Sequence, residues 1–196
     1  MSALERLAAL GPVFRTKDAV AAGLSWRDLY RLRDAGDLIE VSRGVYQLAS
    51  AVGGPNIDFV AVSLRAPHGM ICLDSALAYW DLSDEVPGEV HVAVPEGAHR
   101  PTIDYPPTRV HVFAATTFHL GRCEITHDGG ERFWITDHAR SVVDAFKFRQ
   151  HLGDDIAHAA LRRYLQSGGK PARVAELARL LRVKTPVMAA LRILSA

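Results

Sequence analysis

The chain has 196 residues, 48% hydrophobic residues and a formal net charge of +1, which is typical of a globular protein with one large domain or two smaller ones. Its N-terminus lacks the apolar core of a signal peptide, and no apolar run approaches the roughly 20 residues needed to cross a bilayer. Cys72 and Cys123 have neither metal-ligand spacing nor the pattern of a disulfide framework. We therefore predict a cytoplasmic protein without a membrane segment.

The first element is a predicted helix in residues 2–10. Residues 16–48 then predict a helix, a tight glycine turn, a second helix and a β-hairpin. That order is typical of the winged helix-turn-helix, whose second helix enters the major groove of DNA.

The second helix has clear local signals at its start. Gly23 suits the positive φ of a helix C-terminus, and Ser25 with Asp28 makes a capping box. Trp26, Leu29 and Leu32 recur at helical spacing, so we expect them to form the buried stripe.

The opposite face of this helix has the chemistry of a nucleic-acid contact. Arg27 and Arg31 can reach phosphates or a guanine edge, and Tyr30 can donate to a phosphate. Arg43, at the tip of the predicted wing, could enter the minor groove or touch the backbone. The alternative is a helical hairpin and ribbon that pack for stability alone, with arginines that are only solvated.

Charge is distributed unevenly along the chain. Residues 1–50 contain seven Lys or Arg and six Asp or Glu, residues 51–150 contain eight and thirteen, and residues 151–196 contain eight and three. Such segregation suggests different partners for different regions. The basic C-terminal region could contact the DNA backbone, dock on an acidic protein or balance the acidic middle of the same fold.

The remainder predicts an α+β domain after a linker at residues 51–55. Arg140 and Asp144 are expected to form a surface ion pair of small energy. We thus predict an α+β protein in which a winged helix-turn-helix (1–50) precedes a mixed domain (55–196) with a small β-sheet and C-terminal helices. The predicted helices are 57–65, 73–82, a helix from Asp137, 154–166, 171–181 and 185–194, and the predicted strands lie near 90–94, 110–113, 122–126 and 132–136.

No catalytic motif emerges from the sequence. Phosphate-loop, nuclease and nucleotidyltransferase signatures are all missing, so we predict a non-enzyme without a cofactor. None of the histidines stands in a zinc-type spacing. His91 and His111 occupy comparable positions on two predicted strands, which favours cross-strand packing over a metal site.

With these motifs in view, the chain resembles the AbiEi family of antitoxins from bacterial type IV toxin–antitoxin operons. The N-terminal likeness runs from Thr16 through GLS at 23–25 to RGVYQL at 43–48. In the body, DSALAYWDL at 74–82, VHVAVPEGAHRP at 90–101 and ITDHARSVVDAF at 135–146 resemble family segments. Ser141 stands where the family usually has Thr, and Trp80-Asp81 replaces a common His-Gly.

The resemblance implies an antitoxin with two functions. Its winged helix would repress its own operon by binding inverted repeats in promoter DNA, and its C-terminal domain would counteract a nucleotidyltransferase-type toxin, directly or functionally. The DNA-binding residues carried over are Lys17, Ser25, Arg27, Tyr30, Arg31 and Arg43. The basic tail offers further contacts to the DNA backbone or to the toxin through Arg162, Arg163, Arg173, Arg179 and Arg182.

The alternative function is a stand-alone winged-helix transcription regulator whose C-terminal domain binds an effector or a partner protein. A well-formed apolar pocket in that domain would favour it.

Overall fold

The structure, a computed structural model, describes residues 2–51, 56–126 and 131–194. Two compact units can be distinguished. The first unit comprises Met1–His68, Pro101–Thr108 and Glu124–Phe133, and the second comprises Gly69–Arg100, Arg109–Cys123 and Trp134–Ala196. The predicted linker at 51–55 lies outside the described residues except for Ala51, and the division into 1–50 and 55–196 stays a prediction.

The first unit has the predicted order of helix, turn, helix and hairpin. Its strands form one antiparallel sheet in the order β1-β3-β2, and β2 and β3 are the hairpin that forms the wing. The elements are α1 (Ala3–Ala8), β1 (Val13–Arg15), α2 (Thr16–Ala21), α3 (Trp26–Asp34), β2 (Leu38–Ser42), β3 (Val45–Leu48) and α4 (Ile57–Arg65).

The start of α3 follows from its sequence. The Asp28 amide donates to Ser25 Oγ at 3.2 Å, and the Ser25 amide donates to the Asp28 carboxylate at 2.9 Å. The hydroxyl of Ser25 also donates to the Asp28 carboxylate, and this bond together with the one from the Ser25 amide lowers the pKa of Asp28. The predicted capping box is therefore present, and Gly23 has the expected positive φ of 84°.

The buried stripe of α3 differs from the prediction at Trp26. Leu29 and Leu32 are buried as expected, whereas the Trp26 side chain is 54% exposed. Residues spaced three apart do not lie directly above one another on a helix, because three residues turn about 300° and not a full circle. Trp26 therefore lies well away from the centre of the stripe, on the solvent side of the first turn.

The other sheet has five strands in the order β6-β5-β4-β8-β7. Its short β4 pairs antiparallel with β5 and parallel with β8. The strands are β4 (Met70–Ile71), β5 (Val90–Pro95), β6 (Thr108–Phe113), β7 (Arg122–Thr126) and β8 (Arg132–Thr136), and the helices are α5 (Leu73–Tyr79), α6 (His138–Lys147), α7 (Arg149–Leu152), α8 (Asp154–Gln166), α9 (Pro171–Leu180) and α10 (Lys184–Leu194).

The C-terminal helices share a core with α6. Val142, Val143 and Phe146 are fully buried on that helix and belong to one cluster with Leu161 of α8 and Leu177 of α9. The predicted α+β fold class is thus confirmed, including the small sheet and the helical C-terminal region.

In the second unit, the Arg140–Asp144 pair differs most from what the sequence predicts. The two side chains are 1% and 0% exposed, with Arg140 Nε 2.8 Å from Asp144 Oδ2, so the predicted surface pair is a buried one. The Nη1 of Arg140 also donates to the carbonyls of Thr117 and Leu120 at 3.0 and 2.6 Å. This burial needs Gly121, because a Cβ there would lie 2.5 Å from the Cβ of Arg140.

Candidate nucleic-acid interface

The outward face of α3 carries the side chains that were predicted to read DNA. Arg27 is exposed, and Tyr30 is 44% exposed. Arg31 keeps 70% of its side chain in solvent although Nη2 lies 3.4 Å from Asp28 Oδ1. Since exposed pairs of this kind are worth under about 1 kcal/mol, Arg31 can exchange Asp28 for another anion at little cost. Three of the predicted residues therefore share one accessible helix face.

Ser25 and Lys17 have different surroundings from these three. Ser25 precedes the first turn of α3, and its hydroxyl donates to the Asp28 carboxylate at 2.7 Å. That hydroxyl is therefore already engaged in the cap, and what remains accessible to a ligand is the exposed helix end at which Ser25 lies. Lys17, in the first turn of α2, is exposed.

The wing tip is a tight turn held at several points. Gly44 has a φ of 72°, and its amide donates to Glu40 Oε1 at 3.2 Å. Its carbonyl accepts hydrogen bonds from the amide and the hydroxyl of Thr16 at 2.9 and 3.3 Å. Arg43, one residue earlier, is exposed. The backbone of Gly44 is thus held by hydrogen bonds at both its amide and its carbonyl, and the exposed Arg43 side chain leaves the wing just before this fixed residue.

A cavity of about 570 Å³ lies between α2, α3 and the wing, and we call it the cationic groove. One carboxylate, Glu40, lies among five basic side chains, and three aromatic rings complete the walls. Five cations against one anion give a positive potential that attracts phosphate. The groove is lined by Arg15, Thr16, Lys17, Trp26, Tyr30, Arg33, Glu40, Arg43, Gly44, Tyr46 and Arg65.

Sequence reasoning found only part of this groove. It proposed Lys17, Tyr30 and Arg43 but missed three arginines. These are Arg33 on α3, and Arg15 and Arg65, which reach the same surface from β1 and α4. Arg65 ends the predicted helix 57–65, but neither Arg65 nor Arg15 has a spacing that indicates a shared surface. The elements that carry them meet only in the folded first unit.

The aromatic side of the groove is a connected set. The Trp26 and Tyr30 rings have centroids 6.3 Å apart, and the Arg33 guanidinium lies 5.0 Å from the centre of the Tyr30 ring. Arg33 also contacts Glu40 of the wing, with Nη1 3.4 Å from Oε2. This chain of contacts links α3 to the wing and limits how far the two can move apart.

The basic residues of the C-terminal region are not equivalent to one another. Arg163 forms ion pairs with Asp84 and, at 3.8 Å, with Asp81. Arg173 lies 3.0 Å from Glu176 and 3.9 Å from Asp137. Among the described residues, no ion pair involves the exposed arginines Arg162, Arg179 and Arg182. The five predicted arginines therefore fall into two groups. Arg163 and Arg173 are paired with acids, and Arg162, Arg179 and Arg182, which we call the open arginines, have no ion pair within the described part of the chain.

His91 and His111 pack across neighbouring strands, as predicted. His111 Nε2 lies 3.3 Å from His91 Nδ1, and burial, with His91 and Arg109 nearby, lowers the pKa of His111 to about 4. Within residues 2–51, 56–126 and 131–194, no group of three or more His, Cys, Asp or Glu side chains could hold a metal ion. No helix in the same ranges is long and apolar enough to span a bilayer.

Two helices joined by a glycine turn are followed by a β-hairpin whose Glu40 contacts Arg33 of the second helix, which is the element order of the winged helix-turn-helix class. A family of transcriptional regulators, the AbiEi antitoxins, has a sequence model that matches residues 2–49. Residues 2–49 of this chain are thus similar to AbiEi antitoxin regulators, which confirms over those residues the resemblance identified from the sequence.

A solved structure shares its fold with nearly the whole chain. The crystal structure of the RV2827C protein from Mycobacterium tuberculosis aligns with 98% of this chain and 79% of its own, with a TM-score of 0.52 and 16% sequence identity. Identity this low shows a shared fold and no more. The curated proteins include no match to the chain.

Proposed function

We propose that this chain binds double-stranded promoter DNA through the first unit and represses its own operon. The observation that carries the proposal is the accessible face of α3, where Arg27, Tyr30 and Arg31 stand beside the cationic groove and the wing. The match of residues 2–49 to a family of transcriptional regulators supports the same function.

Different parts of this surface suit different parts of DNA. Arg27 and Arg31 lie four residues apart on one helix face, a spacing that lets both reach base edges when α3 lies in the major groove. Lys17 and Arg43 flank that face from α2 and the wing, where they suit phosphates. Since phosphate contacts fix the register and base contacts give specificity, this division predicts a sequence-specific complex.

We further propose that the second unit counteracts a nucleotidyltransferase-type toxin and that the protein acts in the cytoplasm as a non-enzyme. The antitoxin description of the matching family supports this role, and the open arginines Arg162, Arg179 and Arg182 are candidate contacts to toxin or DNA backbone. We propose that the operator contains inverted repeats. Two copies of the chain bound to such a symmetric site would combine the modest number of DNA contacts that each first unit makes.

An effector-binding regulator is less well supported by the described cavities. A cavity of about 430 Å³ in the second unit is lined by Asp137, His138, Tyr164 and Arg173, among others. Its walls carry charges of both signs, which do not suit the apolar effector that would favour this alternative.

A separation-of-function experiment tests the proposal on the full chain. Arg27→Ala/Arg31→Ala should abolish repression of a reporter fused to the chain's own promoter, yet still protect cells that express the neighbouring toxin gene. Retained repression would contradict the role of α3, and loss of protection by a folded variant would contradict the division between the units. The matched control is Arg132→Ala, because Arg132 is an exposed arginine of the first unit that pairs with Glu124.

A further inference from the structure

Arg65, the last residue of α4, connects two parts of the first unit that are far apart in sequence. Its Nη1 donates to the carbonyl of Arg43 at 3.3 Å, and its Nη2 donates to the carbonyl of Thr102 at 3.2 Å. One guanidinium thus joins the wing tip to segment 101–108. Both terminal nitrogens are used for backbone contacts.

The contact with Arg43 complements the contacts at the next residue. Gly44 is already held through its amide by Glu40 and through its carbonyl by Thr16. Arg65 adds a third anchor on the Arg43 carbonyl. Because consecutive peptide groups are then fixed, the direction in which the Arg43 side chain leaves the wing is also restricted.

The geometry requires an arginine at this position. A guanidinium has donors that diverge in one plane, so it can bind two carbonyls at once, whereas a lysine ammonium is a compact charge on a flexible stem. The Arg65 Nε is buried and has no hydrogen-bond partner, a cost that is acceptable where the terminal contacts are needed.

We propose that Arg65 is a positioning residue for DNA binding: it fixes the wing so that Arg43 meets a phosphate, which makes α4 and segment 101–108 part of the DNA-binding surface. This inference rests on the proposed DNA-binding function. It extends the surface beyond residues 2–49, where the match to the regulator family ends.

A double-mutant cycle on operator DNA tests the role of Arg65. We expect Arg65→Ala to weaken binding about three- to tenfold, since one hydrogen-bonded anchor is removed, and to lower the salt slope by about 0.9, the value for one phosphate contact. Arg43→Ala should have the same two effects. The double variant should be no weaker than either single variant, because both remove the same contact.

Arg65→Lys separates positioning from direct contact. It keeps the positive charge in the groove but cannot hold both carbonyls, so it should behave like Arg65→Ala if Arg65 positions the wing. Wild-type affinity in Arg65→Lys, or additive losses in the double variant, would overturn the proposal. Arg132→Ala again controls for the removal of one exposed charge from the first unit.

Hydrogen exchange of the Gly44 amide provides a readout without DNA. We expect faster exchange in Arg65→Ala and Arg65→Lys, because the wing opens locally when its anchor is removed. Unchanged exchange would overturn the positioning role. If the wild-type chain binds no operator, the proposed DNA-binding function fails, and the exchange rate of Gly44 still decides whether Arg65 holds the wing.

Discussion

The two units differ in where they place their arginines. In the first unit, the basic side chains of the cationic groove outnumber the acidic ones five to one, although residues 1–50 are almost neutral by count. The second unit includes the most basic stretch of the chain, yet Arg140 is buried there and both Arg163 and Arg173 are paired with acids.

The cause of this difference is the position of the acids. In the first unit, Asp18 and Asp28 cap helices, and Glu40 holds the wing turn. These carboxylates balance the formal charge, and each accepts a hydrogen bond from a nearby backbone amide, although Asp28 and Glu40 also contact Arg31 and Arg33. The comparison shows that net charge along a sequence does not identify a phosphate-binding surface, because local hydrogen bonds decide which charges a ligand meets.

The largest expected effect concerns the buried arginine of the second unit. Asp144→Ala leaves the Arg140 charge buried without its partner, which should lower the free energy of unfolding by about 3–5 kcal/mol. Chemical denaturation measures this change in the free energy of unfolding. A charge-free double variant, Arg140→Met/Asp144→Leu, should lose less than the single one. An equally small loss in Asp144→Ala and in the exposed-pair control Arg163→Ala would show that the buried pair is not structural.

The next effect concerns the two exposed arginines on the outward face of α3. Arg27→Ala/Arg31→Ala should weaken operator binding by about 1–3 kcal/mol for each arginine that reads a base, and by less if both touch only phosphate. Fluorescence anisotropy with labelled operator and a scrambled duplex distinguishes these cases. Arg132→Ala/Arg149→Ala removes the same charge from arginines that pair with Glu124 and Asp154 and should have little effect. Wild-type affinity in the first variant would remove α3 from the interface.

A smaller effect concerns the pH dependence of stability that His111 gives to the second unit. His111 has a pKa of about 4 in the folded chain, below its ordinary value of 6.5, so the unfolded state binds this proton more readily. Stability from this group is therefore present above pH 6.5 and falls as the pH drops toward 4. Since the ring is only partly buried, we expect a loss of about 1–2 kcal/mol.

His111→Phe should flatten that pH dependence. The variant keeps a ring beside Phe148, whose centroid lies 6.5 Å from that of His111, but it cannot titrate. Denaturation at pH 7 and pH 4.5 gives the two stabilities for each protein. An unchanged pH dependence in His111→Phe would assign the acid sensitivity to other groups.

The smallest effect concerns the open arginines of the second unit. If Arg162, Arg179 and Arg182 touch DNA, replacing all three by Gln should lower the salt slope of operator binding by about 0.9 for each phosphate that the variant no longer binds. Arg163→Gln/Arg173→Gln should leave the slope unchanged, because those side chains already have acidic partners. An unchanged slope in the triple variant would assign the open arginines to a protein partner.

Local signals made much of the fold predictable. The capping box of Ser25 and Asp28, the alternation around Val92 and the helical spacing of Val142 and Phe146 each depend on residues a few positions apart. The burial of Arg140 was not predictable in this way. Its i,i+4 spacing to Asp144 is the same for exposed and buried pairs, and burial depends on the distant carbonyls of the 117–120 segment.

The candidate site shows the same limit. The outward face of α3 follows from a helical period, so Arg27 and Arg31 were found from the sequence. Arg15 and Arg65 reach the groove only because β1 and α4 meet in space. Contacts between distant segments leave no spacing to recognise.

The link from Arg65 to the wing has a practical consequence for protein engineering. A designer who grafts this DNA-binding head onto another effector would be inclined to cut after residue 49, where the family match ends. Such a chimera would leave behind the guanidinium that holds the Arg43 carbonyl. A graft that ends after Arg65 keeps that bond, and the difference in operator affinity between the two chimeras would report what one distant side chain contributes to a modular reader.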